Sequence, residues 1–446
     1  MKILLINPPR SPINSILRYA PDEAKRFIHK KLIGPPLGLL TVAAAVKDFD
    51  VTFIDLKGEY DLFPDSPPLP QLIDNILFLV KPDIVGVTFI ASEYWAGMEI
   101  FRVAKRFNPE ILTIAGGLHT SLCPGDFARP EVDIVCPGQS AGIFRQIVIA
   151  KSKHLPFDTI GGIFINTATT FRKTLAPVKP WYPAGRNFIM PDRNLLKRWI
   201  STYRVGGSPH ASTYLFTSLG CPYQCSFCSI WKQHDGKFLQ RKIESVIDEL
   251  KAVDDYEVVR FADANTIVNV NFIDKLFDRI AEEGIQKTFI MDIRFDTAVR
   301  YPKLIEKLAK GGLKVVICGF ESFRQSELKR YNKHASAHLI EEAINIFHQN
   351  DVQLRGNYVI PCDYTTDDFK ALSDYSGKHK VVYAGYTILS PMPGTVYYEE
   401  VKSKIIDFDL AKYNFFNAVM ETKMPLEEFY ESVGKLWLIK KGTDVI

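Results

Sequence analysis

The sequence has no apolar stretch approaching the roughly 20 residues that a membrane-spanning helix needs, no low-complexity tract and no block of one charge. Its 55 lysines and arginines face 51 aspartates and glutamates, a formal charge of +4 over 446 residues. So even a balance gives no general electrostatic reason to expect nucleic acid or an anionic membrane as a partner. MKILLINPPR opens on a short apolar run, but Pro8 and Pro9 end it without a small-residue cleavage site. It reads as a buried strand rather than a signal peptide. A cytoplasmic protein without a transmembrane segment is expected. Cysteine is scarce, with seven residues in all, which in such a compartment argues for ligands or buried thiols over disulfides.

What is present is alternation. MKILLINPP, VTFIDL, DIVGVTFIA, ILTIAGG and DIVCPG are short, β-branched runs, separated by helix-like stretches such as GLLTVAAAVKD and WAGMEIFRVAKRF. Such βαβ alternation implies an α/β fold with a doubly wound parallel sheet, whose ligands sit beyond the carboxyl ends of the strands. Those ends carry Pro8–Pro9, Thr88 to Ser92, Gly116–Gly117 and Pro137–Gly138. Residues 151–210 are rich in proline and basic residues and read as a linker holding a short hairpin, IGGIFINTATTF. Alternation resumes in STYLFTSLG, EVVRFAD, TFIMDIRF, LKVVICGFES, VQLRGNYVI and YAGYTILSP. Six βα units over 211–398 are too few for a closed eight-stranded barrel and predict a partial, open-sided one, followed by a short helical segment over 399–446.

Three of the cysteines are crowded into CPYQCSFCSIW, as Cys221, Cys225 and Cys228, just after the first strand of this second run. A structural zinc site wants four ligands, normally in two separated pairs, and no second pair follows. A [4Fe–4S] cluster usually takes four thiolates; with three, one iron keeps an open coordination position where chemistry can take place. Cys123, Cys136, Cys318 and Cys362 are isolated and read as small buried hydrophobes.

The C-x3-C-aromatic-x-C spacing ahead of a partial barrel resembles the radical S-adenosylmethionine superfamily. The resemblance implies that Cys221, Cys225 and Cys228 bind the cluster, that S-adenosylmethionine chelates the open iron, and that its cleavage yields a 5′-deoxyadenosyl radical. It places Phe227 near the adenosine, Asp263 of FADANTIVN and Arg294 of MDIRFD near the bound S-adenosylmethionine, and Glu321 of GFES facing it. Ile360, at the end of the fifth strand, joins the same set. For each polar residue the competing reading is a satisfied pair at a strand end.

A doubly wound, Rossmann-like domain directly before such a barrel resembles a cobalamin-binding domain, and residues 1–150 carry that resemblance in GPPLGLLTVAAAVKD, AGGLHTS and DIVCPGQSAGIF. Gln139 and Ser140 stand where the family pattern is acidic. The implied cobalamin contacts are Thr88, Ser92, Tyr94, Gly116, Gly117, His119 and Gly138, with the glycines letting backbone approach the nucleotide tail. The D-x-H-x-x-G motif that supplies a lower histidine ligand is missing, so His119 is placed by the tail, and the Phe89–Tyr94 stretch is expected to face the cobalt.

As a whole the chain resembles the cobalamin-dependent radical S-adenosylmethionine methyltransferases. That resemblance implies hydrogen abstraction from an unactivated carbon and methyl transfer from methylcobalamin, with an external electron donor and no obligatory side-chain acid or base. A monomer acting on a protein side chain, such as a glutamine of methyl-coenzyme M reductase, is expected. A hopanoid-type lipid, an antibiotic precursor, and a cyclase or rearrangement without methyl transfer are the alternatives.

Overall fold

The computed structural model describes residues 1–28, 34–175, 188–204, 210–379, 381 and 384–439, which form two compact units, Met1–Pro12 with Pro35–Thr202 and Ile13–Gly34 with Tyr203–Ile446.

The first unit is built on a seven-stranded sheet of β1 (Lys2–Asn7), β2 (Asp50–Asp55), β3 (Ile84–Thr88), β4 (Leu112–Gly116), β5 (Ile134–Cys136), β6 (Phe164–Asn166) and β7 (Phe171–Lys173), in the order β2-β1-β3-β4-β5-β6-β7. The first five pair in parallel, and the β6–β7 hairpin adds to β5 antiparallel. Five of the six residues of β1 are buried, as an internal parallel strand covered on both faces requires. Helices Leu37–Ala45, Leu69–Val80, Tyr94–Phe107 and Ala141–Ser152 supply the cover. The strand order reverses between β1 and β3, and in doubly wound sheets ligands bind beyond the carboxyl ends of the strands at such a switch point.

The second unit holds β8 (Ser212–Leu215), β9 (Ser218–Gly220), β10 (Phe238–Gln240), β11 (Val258–Phe261), β12 (Thr288–Asp292), β13 (Leu313–Glu321), β14 (Gln353–Ile360) and β15 (Gly385–Ile388). Six of them form a curled parallel half-barrel in the order β15-β14-β13-β12-β11-β8, while β9 and β10 pair as a separate antiparallel ribbon. The α/β class and the open, six-stranded barrel are those the sequence predicts. One face of the curl packs on helices: Phe289 meets Phe277 of helix Val270–Glu282 at 5.4 Å and Phe261 at 5.3 Å. The alternate positions, Tyr214, Arg260, Asp292, Arg355, Asn357 and Thr387, are half-buried and polar, and line the inner face.

Residues 13–28 belong to this unit too. Ser15 N–H donates to Asn417 at 2.9 Å, and Tyr19 stacks on Tyr430 of helix Leu426–Leu436 at 5.6 Å.

Candidate functional site

Between β8 and β9 the chain leaves the barrel sheet at Phe216 and Thr217. Gly220 then takes a left-handed φ of +79°, and a Cβ there would sit 2.0 Å from the Lys237 carbonyl oxygen, so the bend into the cysteine loop needs glycine. The loop is pinned from several sides. Ser226 N–H donates to the Tyr331 carbonyl at 3.0 Å, Tyr397 N–H donates to the Ser226 carbonyl at 2.9 Å, and the Trp231 indole donates to the Cys225 carbonyl at 2.9 Å. Cys221 and Cys225 are buried and Cys228 is half-buried.

Among the described residues, ligand atoms of His119, Cys123 and Asp126 in the first unit lie within 4.8 Å of one another. Burial holds the Cys221 and Cys225 thiols above the usual range and pushes Cys228 up to about 11.

Two cations already stand close. Lys333 Nζ lies 2.8 Å from Glu321 Oε1, and both side chains are largely buried. Burial alone would lower the Lys333 pKa, yet the Glu321 carboxylate and the Cys225 sulfur outweigh it and hold it raised. Arg294 pairs with Asp296 at 2.9 and 3.0 Å, donates to the Lys333 carbonyl at 3.0 Å, and lies 3.9 Å from the centre of the Tyr223 ring. Glu321 has φ +62°, a strained value for a non-glycine residue of the kind that collects at functional sites. Its carboxylate lies over Gly319, where a Cβ would come within 2.2 Å of Oε1.

The other residues singled out in the barrel sequence fall in three kinds of place. Phe227 sits in the loop itself, edge-on to Tyr331 at 5.8 Å. Ile360 is fully buried at the end of β14. Asp263 is buried just past β11, with its carboxylate accepting from Thr217 and Ser218 at the root of the cysteine loop. Lys333 went unnoticed in the sequence because it sits in an irregular stretch with no periodicity. Ser226 Oγ, Asn265 Oδ1, Thr266 Oγ1 and Tyr331 OH are buried without a hydrogen-bond partner among the described residues. Unpaired buried polar atoms of this kind are costly unless a ligand or water meets them.

In the first unit, Gly116 and Gly117 end β4. Gly117 has φ +105°, and a Cβ there would lie 2.6 to 2.7 Å from Phe89 N and O and from Thr88 Oγ1. Two hydroxyls, of Thr120 and Ser121, donate to the Gly117 carbonyl at 2.8 Å, and Gly138 N–H donates to Ser121 Oγ at 2.8 Å. Gly138 has φ +72° with open space beside it. Thr88, Gly116, Gly117, His119 and Gly138 are thus gathered at neighbouring strand ends. His119 is buried, its ring edge-on to Tyr94 and Phe127 at 5.8 and 5.6 Å, with Nε2 2.9 Å from Asp126.

The Phe89–Tyr94 stretch divides. Phe89, Ser92 and Tyr94 are buried, and the Tyr94 hydroxyl donates to the Asp126 carbonyl at 2.7 Å. Ile90 and Trp95 are instead 41% and 50% exposed, which makes them the apolar surface past the end of β3. Exposed side chains of this size commonly mark a binding site when grouped, and Trp95 carried no sequence signal because helix periodicity places it on an ordinary outer face.

Comparison with known proteins follows the same division. The radical SAM superfamily profile matches residues 215–375, and the B12 binding domain profile matches residues 27–148. An uncharacterized methyltransferase of Pyrococcus horikoshii is 28% identical over 436 residues, covering 95% of this chain and 88% of its own length. The bacteriochlorophyllide d C-12(1)-methyltransferase of Chlorobaculum tepidum is 24% identical over 418 residues, 90% of this chain and 81% of that protein. Among solved structures, the radical S-adenosylmethionine methyltransferase TsrM from Kitasatospora setae, with cobalamin and a [4Fe-4S] cluster bound, matches with a TM-score of 0.66 at 17% identity, over 90% of this chain and 74% of that one. At that identity it shows the fold. No helix among the described residues is long and apolar enough to cross a membrane. A radical SAM domain brings with it a [4Fe-4S] cluster and S-adenosylmethionine, a B12-binding domain brings cobalamin, and the chain carries the two domains in tandem; relatives that include both methyltransferases and a magnesium-protoporphyrin IX monomethyl ester cyclase match it over most of its length.

Proposed function

We propose that this protein methylates an unactivated saturated carbon, with Cys221, Cys225 and Cys228 holding the [4Fe-4S] cluster. The observation that carries this reading is the loop itself: three thiols within eight residues on the functional end of a half-barrel, flanked by Lys333 and Arg294. When bound, the cofactors supply a carbon-centred radical and a methyl group.

The chain's own part is to bind, orient and exclude. Lys333 and Arg294 offer positive charge beside the sulfurs, suited to the carboxylate of S-adenosylmethionine, and Glu321 to its amino group or ribose. Ser226, Asn265 and Thr266 present buried polar atoms that a ligand would satisfy. In the first unit, Gly117 and Gly138 give backbone access for a nucleotide tail, the hydroxyls of Thr120 and Ser121 hold that turn, and Ile90 and Trp95 offer a flat apolar surface to a corrin ring. Thr88 and His119 stand at the same strand ends, while Ser92 and Tyr94 support them from within. Burial around the cysteines keeps water from the reacting groups.

The acceptor is proposed to be a protein side chain. The polar inner face of the barrel, with Tyr214, Arg260, Asp292, Asn357 and Thr387 half-buried, suits a hydrogen-bonding acceptor such as a glutamine amide better than a hydrocarbon lipid. Anaerobic turnover with methyl-labelled S-adenosylmethionine and a reductant tests it, using a glutamine-bearing peptide of methyl-coenzyme M reductase, a hopanoid and a tetrapyrrole in parallel. Label in the peptide, with both 5′-deoxyadenosine and S-adenosylhomocysteine released, is the expected result. Label in the lipid or pigment instead overturns the substrate, and 5′-deoxyadenosine with no labelled product from any acceptor overturns the methyl transfer.

A further inference from the structure

Where β8 ends, the backbone of Phe216 and Thr217 has left the barrel sheet, before β9 begins its pairing with β10 at Ser218, and its polar groups need other partners. Side chains and the Arg241 backbone supply them. The Phe216 carbonyl accepts from Arg241 Nη1 at 2.7 Å, and the Thr217 carbonyl accepts from Arg241 N–H at 3.0 Å and Gln240 Nε2 at 2.8 Å. On the other side a single carboxylate takes everything. Asp263 Oδ1 accepts from Thr217 N–H at 3.0 Å, Ser218 N–H at 2.5 Å and Ser218 Oγ at 2.7 Å, and Oδ2 accepts from Thr217 Oγ at 3.2 Å.

We infer that Asp263 is the positioning residue of the cysteine loop, and that it works by accepting hydrogen bonds rather than by carrying charge or touching a ligand. The inference rests on the proposal that Cys221, Cys225 and Cys228 hold the cluster. Four donors from the loop root already occupy this carboxylate, and Cys221 follows only three residues after Ser218.

The two oxygens are unequal, and that inequality fixes what protonation does. Three donors converge on Oδ1, two of them backbone N–H groups that cannot reverse. Oδ2 faces only a hydroxyl, which can turn to accept instead of donate. A proton on Oδ2 therefore leaves the three bonds to Oδ1 intact. Burial pushes the Asp263 carboxyl up to about 7 against the pull of these same donors, so both forms are populated near neutrality. The charged groups facing this turn are Arg241 and its buried partner Glu249, 2.5 Å apart. Next along the inner face come Arg260 and Asp292, paired at 2.8 Å. Each is matched within its own pair.

An asparagine has the same shape, with Oδ1 accepting from the three donors and Nδ2 donating to Thr217. The full-length protein is reconstituted anaerobically with iron and sulfide as wild type, Asp263→Asn, Asp263→Ala and Ser218→Ala. Iron content and the electron paramagnetic resonance of the reduced cluster are read at about pH 6 and about pH 8, either side of the shifted carboxyl. Far-ultraviolet circular dichroism and a cooperative thermal unfolding transition serve as the check that each chain has folded. Asp263→Asn is expected to match wild-type iron content and spectrum at both pH values. Asp263→Ala is expected to lose about tenfold in iron, since two backbone donors are left buried and unsatisfied. Ser218→Ala, which removes one hydroxyl and keeps the backbone bonds, is expected to bind the cluster with a perturbed spectrum.

Full iron in Asp263→Ala overturns the inference. So does Asp263→Asn failing as badly as alanine, because charge or ligand contact would then be the property that matters. Should Asp263→Ala not fold, the asparagine and Ser218→Ala results decide alone. Wild type that takes up no cluster would instead refute the cysteine assignment, a different failure.

Discussion

The two units meet the same need, a ligand site at the carboxyl ends of parallel strands, with opposite materials. In the first unit the strand ends are shaped by backbone. Gly117 and Gly138 take conformations that side chains avoid, and an aromatic cluster of Phe89, Tyr94, Phe101 and Phe127 holds them from beneath. In the second unit they are shaped by charge. Glu321 with Lys333, Arg294 with Asp296 and Arg241 with Glu249 surround or support the cysteine loop, all at least partly buried. A large flat ring with a nucleotide tail needs shape and close backbone approach; a small zwitterion and a metal cluster need fixed charges in a dry place. The chemistry each unit has to hold explains the difference.

The widest separation of the two comes from Cys225→Ala. It is expected to abolish the visible absorption of the reconstituted cluster and all 5′-deoxyadenosine formation, while cobalamin binding, measured by its own absorption, is retained. Loss of both together would mean that the units do not act as separate binders.

Next in size is Lys333→Met, which leaves the buried Glu321 carboxylate without its partner. Breaking a buried pair from one side typically costs about 3 kcal/mol, read as a drop in stability on chemical denaturation, with weakened binding of S-adenosylmethionine. Adding Glu321→Gln is expected to restore most of the stability and none of the binding. If both recover together, the pair is only structural.

Gly117→Ala probes the backbone side. Left-handed strain alone is worth about 1 to 3 kcal/mol, and the overlap with Phe89 and Thr88 adds to it. Cobalamin affinity is expected to fall while cluster content stays at the wild-type level. The smallest effect is expected from Tyr94→Phe, which loses one hydrogen bond to the Asp126 carbonyl, worth about 1 kcal/mol, and leaves cobalamin affinity nearly unchanged because that hydroxyl is turned inward. Trp95→Ala, at an exposed position in the same helix, is expected to weaken cobalamin binding more than Tyr94→Phe does, although it disturbs the core less.

Much of this was legible before any coordinate. β-branched runs separated by amphipathic stretches require parallel strands with helical cover, and three thiols in eight residues single out the loop as the candidate ligand set. Other features were hidden because they depend on what is brought close. Asp263 sits at the right strand end, but only the hydrogen bonds to Thr217 and Ser218 show it turned toward the loop root. Lys333 lies twelve residues beyond Glu321 in sequence, a separation that carries no periodic signal. Residues 15–19 form a short helix that packs on the helix at Leu426–Leu436, a partnership between the two ends of the chain that no local pattern marks.

The sequence by itself determined which elements form and which thiols are crowded together, because hydrophobic period and residue spacing are local properties of the chain. The tertiary structure alone decided which carboxylate serves the loop, which cation stands beside Cys225 and which aromatic side chains remain open past β3. Those choices depend on side-chain direction and burial, which arise only when distant strands are laid side by side.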